Sequence, residues 1–298
     1  MKRFFKKLYD FSSSWTGTII IVLFLIFFVI QPFIIPSASM QNSLLVGDFL
    51  FAKKFSYGIP IPRFPLTNTK MFPDIFNNGH LIDGKRPQRG DIVIFLNPVN
   101  NNENYVKRCF ASGGDEVIYK DDAFYLRPSE GDEYIKNSYP SEKIVEILGK
   151  LWVLNPYEQT YSGINYKPKA SEERLILKRK LEEVDNPSPF IIMSRNLIIT
   201  GQSAIGMNPI KIDEFDANYN YIQFNAFYIK VPHDEFFMIG DNRDNSQDSR
   251  FFGSIPYSLI VGKPWFVYFS MDSDVIPRWE RIGKLVSTLE KKEYKKDE

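Results

Sequence analysis

Few side chains in this 298-residue chain are equipped for chemistry, and their types narrow what that chemistry is. The histidines are His80 and His233, far apart, and Cys109 is the single cysteine. No His/Cys cluster has metal-ligand spacing, so neither a metal nor another cofactor is expected, and one cysteine forms no internal disulfide. A Ser-His-Asp site would have to recruit one of those two histidines. Lysine offers another base. Pro36-Ser37-Ala38-Ser39-Met40 sits where a long apolar segment gives way to polar chain, and Ser39 is the candidate nucleophile. Serine is also common at turns without any chemistry, because its hydroxyl bonds nearby backbone groups. Tyr105-Val106-Lys107-Arg108 reads as a strand. Strand neighbours point to opposite faces, so Lys107 faces inward if Arg108 faces solvent. Exposed lysines are the commoner case. A buried one loses its charge to desolvation, and a neutral lysine is a usable general base near about pH 7–8.

A third stretch, Asp241 to Arg250, contains no apolar residue. Such density usually marks an exposed loop. As a support layer it would pair Asp248 with Arg250 through charge-assisted hydrogen bonds, and Ser246 would hold the amine of a buried lysine.

These residues need a scaffold. Hydrophobic residues make up 44% and aromatics 15%, with 26 Phe and 16 Tyr. That composition supports a sizeable core and favours strands. The predicted fold is mostly β. A net charge of +1 supplies no basic field for nucleic acid. Gly47-Asp48, Gly90-Asp91 and Gly114-Asp115 each precede a β-branched or aromatic run, at Phe49–Ala52, Ile92–Phe95 and Glu116–Tyr119. Turn residues before such runs predict strands, and Lys120-Asp121-Asp122 predicts a hairpin into Ala123–Leu126. Residues 57–88 read as loop with room for extended edges, and 97–104 as a polar loop. About 127–230 is motif-poor and reads as an inserted mixed subdomain, with a helix over 171–184 and strands at 190–193, 197–199 and 219–231. The residues after Arg281 read as a charged tail, 284–298, either a solvated helix or disordered.

The N-terminus carries Lys2, Arg3, Lys6 and Lys7 against Asp10, then Trp15 and an apolar run that, interrupted at Gln31-Pro32, reaches Ile35. About 20 apolar residues cross a bilayer as a helix, so 15–35 is the predicted anchor. The basic flank places 1–14 in the cytoplasm and the remainder outside. A cleaved signal peptide shares this template, with Ser37-Ala38-Ser39 as its small-residue site.

Four stretches in this order after an N-terminal apolar segment, Pro36 to Asp48, Arg89 to Phe95, Tyr105 to Val117 and Gly240 to Gly253, resemble bacterial type I signal peptidase. Arg278-Trp279-Glu280-Arg281-Ile282-Gly283 adds to the likeness. The resemblance implies coiled antiparallel β-sheets in an extracytoplasmic peptidase domain over 36–283, and a retained single-pass anchor in the bacterial inner membrane. It implies removal of signal peptides from exported precursors after small residues. Ser39 is implied as nucleophile and Lys107 as base. Ser37, with the backbone N–H of Ser39, would hold the oxyanion. Ser246 would orient Lys107, and Asp241, Asp248 and Arg250 would support them. Ile35, Pro36, Met40, Leu44, Tyr105 and Val106 would line the substrate pockets, and lipid and precursor are the implied partners. Asn42 and Ser43 stand where the family usually has Pro and Thr, and Gly113 departs from its Gly-x-Pro-Gly-Asp pattern. The other class these features allow is a non-catalytic, membrane-tethered β-domain that binds envelope proteins. It would not need Ser39, Lys107 and Ser246 to converge.

Overall fold

A computed structural model describes residues 2–41, 43–64, 69–100, 102–120, 123–164, 208–215, 221–243 and 245–291. The helix expected over 171–184 and the strands at 190–193 and 197–199 lie outside the described residues.

The chain opens with α1 (Lys2–Ser12) and α2 (Trp15–Phe24), and the latter widens into a π-turn over Leu25–Val29. Strands β1 (Ile30–Ile34) and β2 (Asp48–Lys53) follow, then the short pair β3 (Ile59–Pro60) and β4 (His80–Ile82). Next come β5 (Ile92–Leu96), β6 (Asn104–Ser112), β7 (Glu116–Lys120) and β8 (Ala123–Arg127). After α3 (Asp132–Ser138) run β9 (Ile144–Ile147), β10 (Lys150–Leu154), β11 (Asn208–Phe215), β12 (Tyr221–Lys230) and β13 (Glu235–Ile239). The chain closes with α4 (Ser249–Phe252), β14 (Ile255–Pro256), β15 (Ile260–Ser270) and α5 (Val286–Leu289).

The strands form two main antiparallel sheets. The first runs β1-β2-β15-β5-β6-β13-β14 and the second β11-β12-β7-β8-β10-β9. Phe110 and Ala111 of β6 and Phe237 and Ile239 of β13 pack against Val117, Tyr119, Phe124, Leu126 and Phe227 of the second sheet. All of β5 is buried, as a strand covered on both faces must be. The expected strands at 49–52, 92–95, 116–119 and 123–126 are present, and β12 realises the run predicted from 219. Phe49 and Phe51 alternate with buried Leu50 and Ala52, as the pleat requires.

Two expectations change. The helix predicted over 15–35 ends at Val29, and Ile30–Ile34 is an edge strand paired with β2, Pro32 opposite Phe51. Proline removes a helical donor and disfavours helix in the residue before it, while an edge strand tolerates it. At about 1.5 Å per residue, Trp15–Val29 spans roughly 22 Å, short of the ~30 Å hydrocarbon core. Among the described residues no single helix is long and apolar enough to cross a membrane. Phe4–Ser12 and Trp15–Val29 pass that test only as a pair, bent by 85°. The second change is the tail. Val286 and Leu289 are buried at 3% and 0% exposure, in a cluster with Ile35, Met40 and Leu44. Their three-residue spacing gives α5 an apolar side that the surrounding lysines hid.

One buried ion pair joins the chain's early and late segments. Arg281 donates from Nε to Asp48 Oδ1 at 2.8 Å and from Nη2 to Oδ2 at 2.5 Å, with both side chains at 0% exposure. Asp48 also accepts from Ser270 Oγ and from the Leu45 N–H. Removing one member of a buried pair strands the other's charge. Asp48→Ala is therefore expected to lower unfolding stability by roughly 3–5 kcal/mol, read as a reduced denaturant midpoint.

Candidate active site

Ser39 lies in a single 3₁₀ turn, Ala38–Met40, that follows directly on the end of β1. The turn is pinned from the loop after β13. The Asn242 N–H donates to Ser39 O at 3.0 Å, and Asn242 Nδ2 donates to Ala38 O at 3.0 Å. Gly240 permits this approach, because a Cβ there would sit 2.6 Å from Ser39 O and collide with the Ser246 hydroxyl. Met40 inserts beneath, and its Sδ lies 3.4 Å from the Asp241 N–H.

Lys107 reaches the same point from β6, opposite Val93 of β5. Its Nζ lies 2.6 Å from Ser39 Oγ, and the two residues are 4% and 8% exposed. Ser37 Oγ lies 3.3 Å from Ser39 Oγ. The Lys107 amine is pushed down to about 8. Burial is the main cause. Asp248 opposes it, Arg250 reinforces it, and Asp241 opposes it more weakly.

The expected partnership of Asp248 and Arg250 is present. Arg250 donates from Nε to Oδ1 at 2.8 Å and from Nη2 to Oδ2 at 2.9 Å, with both groups buried. Burial pushes the Asp248 carboxyl up, but Arg250, with smaller help from the Ser246 hydroxyl and the Gly240 N–H, offsets this and leaves it below the ordinary carboxylate range. Asp248 also receives the Gly240 N–H, which joins the pair to the turn under Ser39.

Arg108 does not face solvent as the strand alternation was expected to place it. Its side chain is 1% exposed, because both faces of β6 are covered here. Arg108 donates from Nε and Nη2 to the Asp241 carboxylate at 2.8 and 2.7 Å. Asp241 in turn accepts from Ser43 Oγ at 2.5 Å. Asp241, expected as a support, thus ties the strand of Lys107 to the segment after Ser39. Ser246 differs from expectation. Among the described residues its buried hydroxyl has no hydrogen-bond partner, and none forms with Lys107, whose amine meets Ser39 instead.

A cleft of about 630 Å³ opens at the pair, lined by Ile35, Pro36, Met40, Tyr105 and Val106. That volume suits a ligand site. Leu44 does not line it, being 0% exposed in the core alongside Met40. Gln31 to Ile34, Asn245 and Gln247 line the cleft unanticipated. Gln31 to Ile34 were hidden by the helical reading of 15–35, although Pro32 marked the break. The histidines are elsewhere: His80 is stacked on Tyr257 with ring centroids 4.2 Å apart, and His233 borders a separate cavity.

The model of one protein family, signal peptidase (peptidase S26), matches residues 8–269. The chain belongs to this family. It is an enzyme of the signal peptidase I kind, a serine peptidase. A signal peptidase I of Helicobacter pylori (strain J99) is 45% identical over 97% of this chain and 97% of its own. One from Aquifex aeolicus is 34% identical over 85% and 80%, and one from Pseudomonas aeruginosa 31% identical over 93% and 78%. A crystal structure of a signal peptidase I from Enterococcus faecalis V583 is similar at 20% identity, covering 60% of this chain and 97% of that one, with a TM-score of 0.25.

The electrostatics carry a measurable sign. In ¹³C-lysine spectra of the folded protein, two lysines, Lys54 and Lys107, are expected to titrate near 8, and the Lys107 resonance is assigned by its loss in Lys107→Arg. Arg250→Ala removes a positive neighbour and frees the Asp248 charge, so the same resonance should titrate at higher pH in the folded variant.

Proposed function

We propose that this chain is a membrane-anchored endopeptidase that removes N-terminal signal peptides after small residues with a Ser39–Lys107 dyad. The observation that carries the reading is the 2.6 Å approach of a buried Lys107 amine to Ser39 Oγ. At an amine pKa of about 8, roughly a tenth is neutral at pH 7, against well under a thousandth for a lysine in water, and that neutral form can accept a proton.

Neutral Lys107 takes the Ser39 proton as Oγ attacks the scissile carbonyl. The oxyanion forms beside Ser37 Oγ and the Ser39 N–H. That amide lies in the first turn of a helical segment, where intrahelical acceptors are lacking, and such donors gain strength as charge develops. Lys107 then protonates the leaving amine, giving an acyl-enzyme. A water activated by Lys107 releases the new carboxylate and restores Ser39, the Ser–Lys variant of triad logic. The unpartnered Ser246 hydroxyl is the group we assign to receive and orient the amine once Ser39 is acylated.

Substrate seating follows from strand pairing. β13 pairs with β6 only from Arg108 onward, so Asn104–Lys107 have β5 on one side and an open edge on the other. An extended peptide would add there by β-augmentation. Its small side chains would enter the cleft at Ile35, Pro36, Met40, Tyr105 and Val106. The basic N-terminus and the apolar Trp15–Val29 support an inner-membrane anchor with the catalytic domain on the periplasmic side. We further assign 127–230 to an inserted subdomain.

Processing of a secretory precursor by purified protein tests this. Ser39→Ala and Lys107→Ala are each expected to remove nearly all turnover, because members of one catalytic unit fail together. Substantial cleavage by either folded variant would overturn the dyad. Ser37→Ala is expected to lower kcat by about 10²–10³, the loss typical of one oxyanion donor, with a smaller change in KM. An effect on KM alone would assign Ser37 to substrate binding.

A further inference from the structure

Residues 282–291, legible in sequence only as charge, run beneath the strand that bears Lys107. The Gly283 N–H donates to Val267 O at 2.7 Å, and the Val267 N–H donates to Lys284 O at 2.9 Å, stitching this segment to β15. Val286 and Leu289 then fill the core beside Ile35, Met40 and Leu44. That places Glu290, 14% exposed, against the far face of β6, where its Oε2 accepts from Arg108 Nη1 at 2.8 Å.

Arg108 is the residue next to Lys107, so the two side chains share one stretch of strand backbone. Its guanidinium is held from three directions: bidentate by Asp241, by Gly90 O at 2.6 Å, and by Glu290. The Tyr161 ring covers it with 3.8 Å from the guanidinium carbon to the ring centroid. Asp241 leads onward to the other half of the pair, since it takes the Ser43 hydroxyl and its neighbour Asn242 holds Ser39 O. Without Glu290, one arm of the guanidinium keeps only a neutral backbone carbonyl. A buried cation short of a charged partner shifts to recover one, and such a shift moves β6 relative to the Ser39 turn.

We infer that Glu290 is a positioning residue for the reaction: acting through Arg108 and Asp241, it sets the register of Lys107 against Ser39. Its carboxylate touches neither the cleft nor the reacting atoms. Glu290 therefore acts as a clasp on the underside of the site, while Val286 and Leu289 only anchor the segment that carries it. The inference rests on the Ser39–Lys107 reading.

The test is steady-state kinetics on a soluble signal-peptide substrate, with thermal unfolding measured on the same full-length proteins. Glu290→Ala is expected to lower kcat by about 10–100-fold, the cost of sub-ångström to ångström misplacement of catalytic groups, with KM close to wild type. Glu290→Gln keeps an acceptor for Arg108 Nη1 and is expected to recover part of the loss. Leu289→Ala is the control, since it opens the same packing without touching Arg108: it should lower Tm yet keep kcat within about threefold, below the range expected for displaced groups. Wild-type kcat in both Glu290 variants overturns the inference. So does a kcat loss in Leu289→Ala matching that of Glu290→Ala, which would assign the effect to packing alone. If Glu290→Ala does not fold, Glu290→Gln is decisive: a reduced kcat at unchanged KM and Tm supports positioning, and wild-type kcat refutes it. Wild-type turnover insensitive to Ser39→Ala would instead bring down the dyad itself.

Discussion

A lysine amine held out of water against a serine hydroxyl is costly to arrange, and much of this molecule is organised around that cost. Desolvation disfavours the ammonium form, and the Lys107 amine is accordingly displaced to about 8. Yet the same interior holds Asp241 and Asp248, whose charges push the other way. Each carboxylate is met by its own bidentate arginine, Arg108 for Asp241 and Arg250 for Asp248. The ion pairs do not create the low lysine pKa. They keep the surrounding carboxylates from cancelling what burial achieves. Replacing buried pairs with apolar residues is often tolerated energetically, so their presence here is better understood through what each carboxylate binds. Asp248 receives the Gly240 N–H and Asp241 the Ser43 hydroxyl, and both contacts steady the backbone around Ser39.

The sheet supplies the rest of the positioning. Ser39 and Lys107 are 68 residues apart in sequence. They meet because β1 and β6 sit in one sheet that carries the two ends of the cleft. The second sheet backs β6 and β13 through Phe110 and Phe237, which keeps water from the far side of the strand that bears Lys107. The site is thus assembled from regular strands, with only the Ser39 turn and the loop from Gly240 supplied by irregular chain. Rigid elements of this kind hold catalytic groups to small tolerances.

Much of this was legible in the sequence. Ser39, Lys107, Asp248 and Arg250 stood out because a serine at the end of an apolar run, a lysine in a strand and a dense polar stretch are unusual where histidines are scarce. The strands after Gly47-Asp48, Gly90-Asp91 and Gly114-Asp115 were legible because glycine and aspartate punctuate while β-branched and aromatic residues extend. What escaped detection depends on contacts between distant segments. The burial of Arg108 follows from Asp241 and Glu290 arriving from 133 and 182 residues away, which no local alternation encodes. Leu44 looked like a pocket residue by its nearness to Ser39 and proved to be core. The apolar run to Ile35 carried a helical reading past Val29, because hydropathy alone does not separate an apolar helix from an apolar strand. The lysines of the last segment masked the two side chains, Val286 and Leu289, that fasten it.

The conversion of the apolar segment from helix to strand at Ile30 has a consequence for how this chain can change. Side chains of β1 alternate, with Phe33 directed to the core while Pro32 and Ile34 are exposed. A strand shifted by one residue presents its opposite face. Inserting or deleting a single residue between Val29 and Phe33 would turn Phe33 outward, whereas a change of two keeps the faces. Within this strand the tether between α2 and the Ser39 turn is thus counted in pairs, unless a bulge absorbs the odd residue.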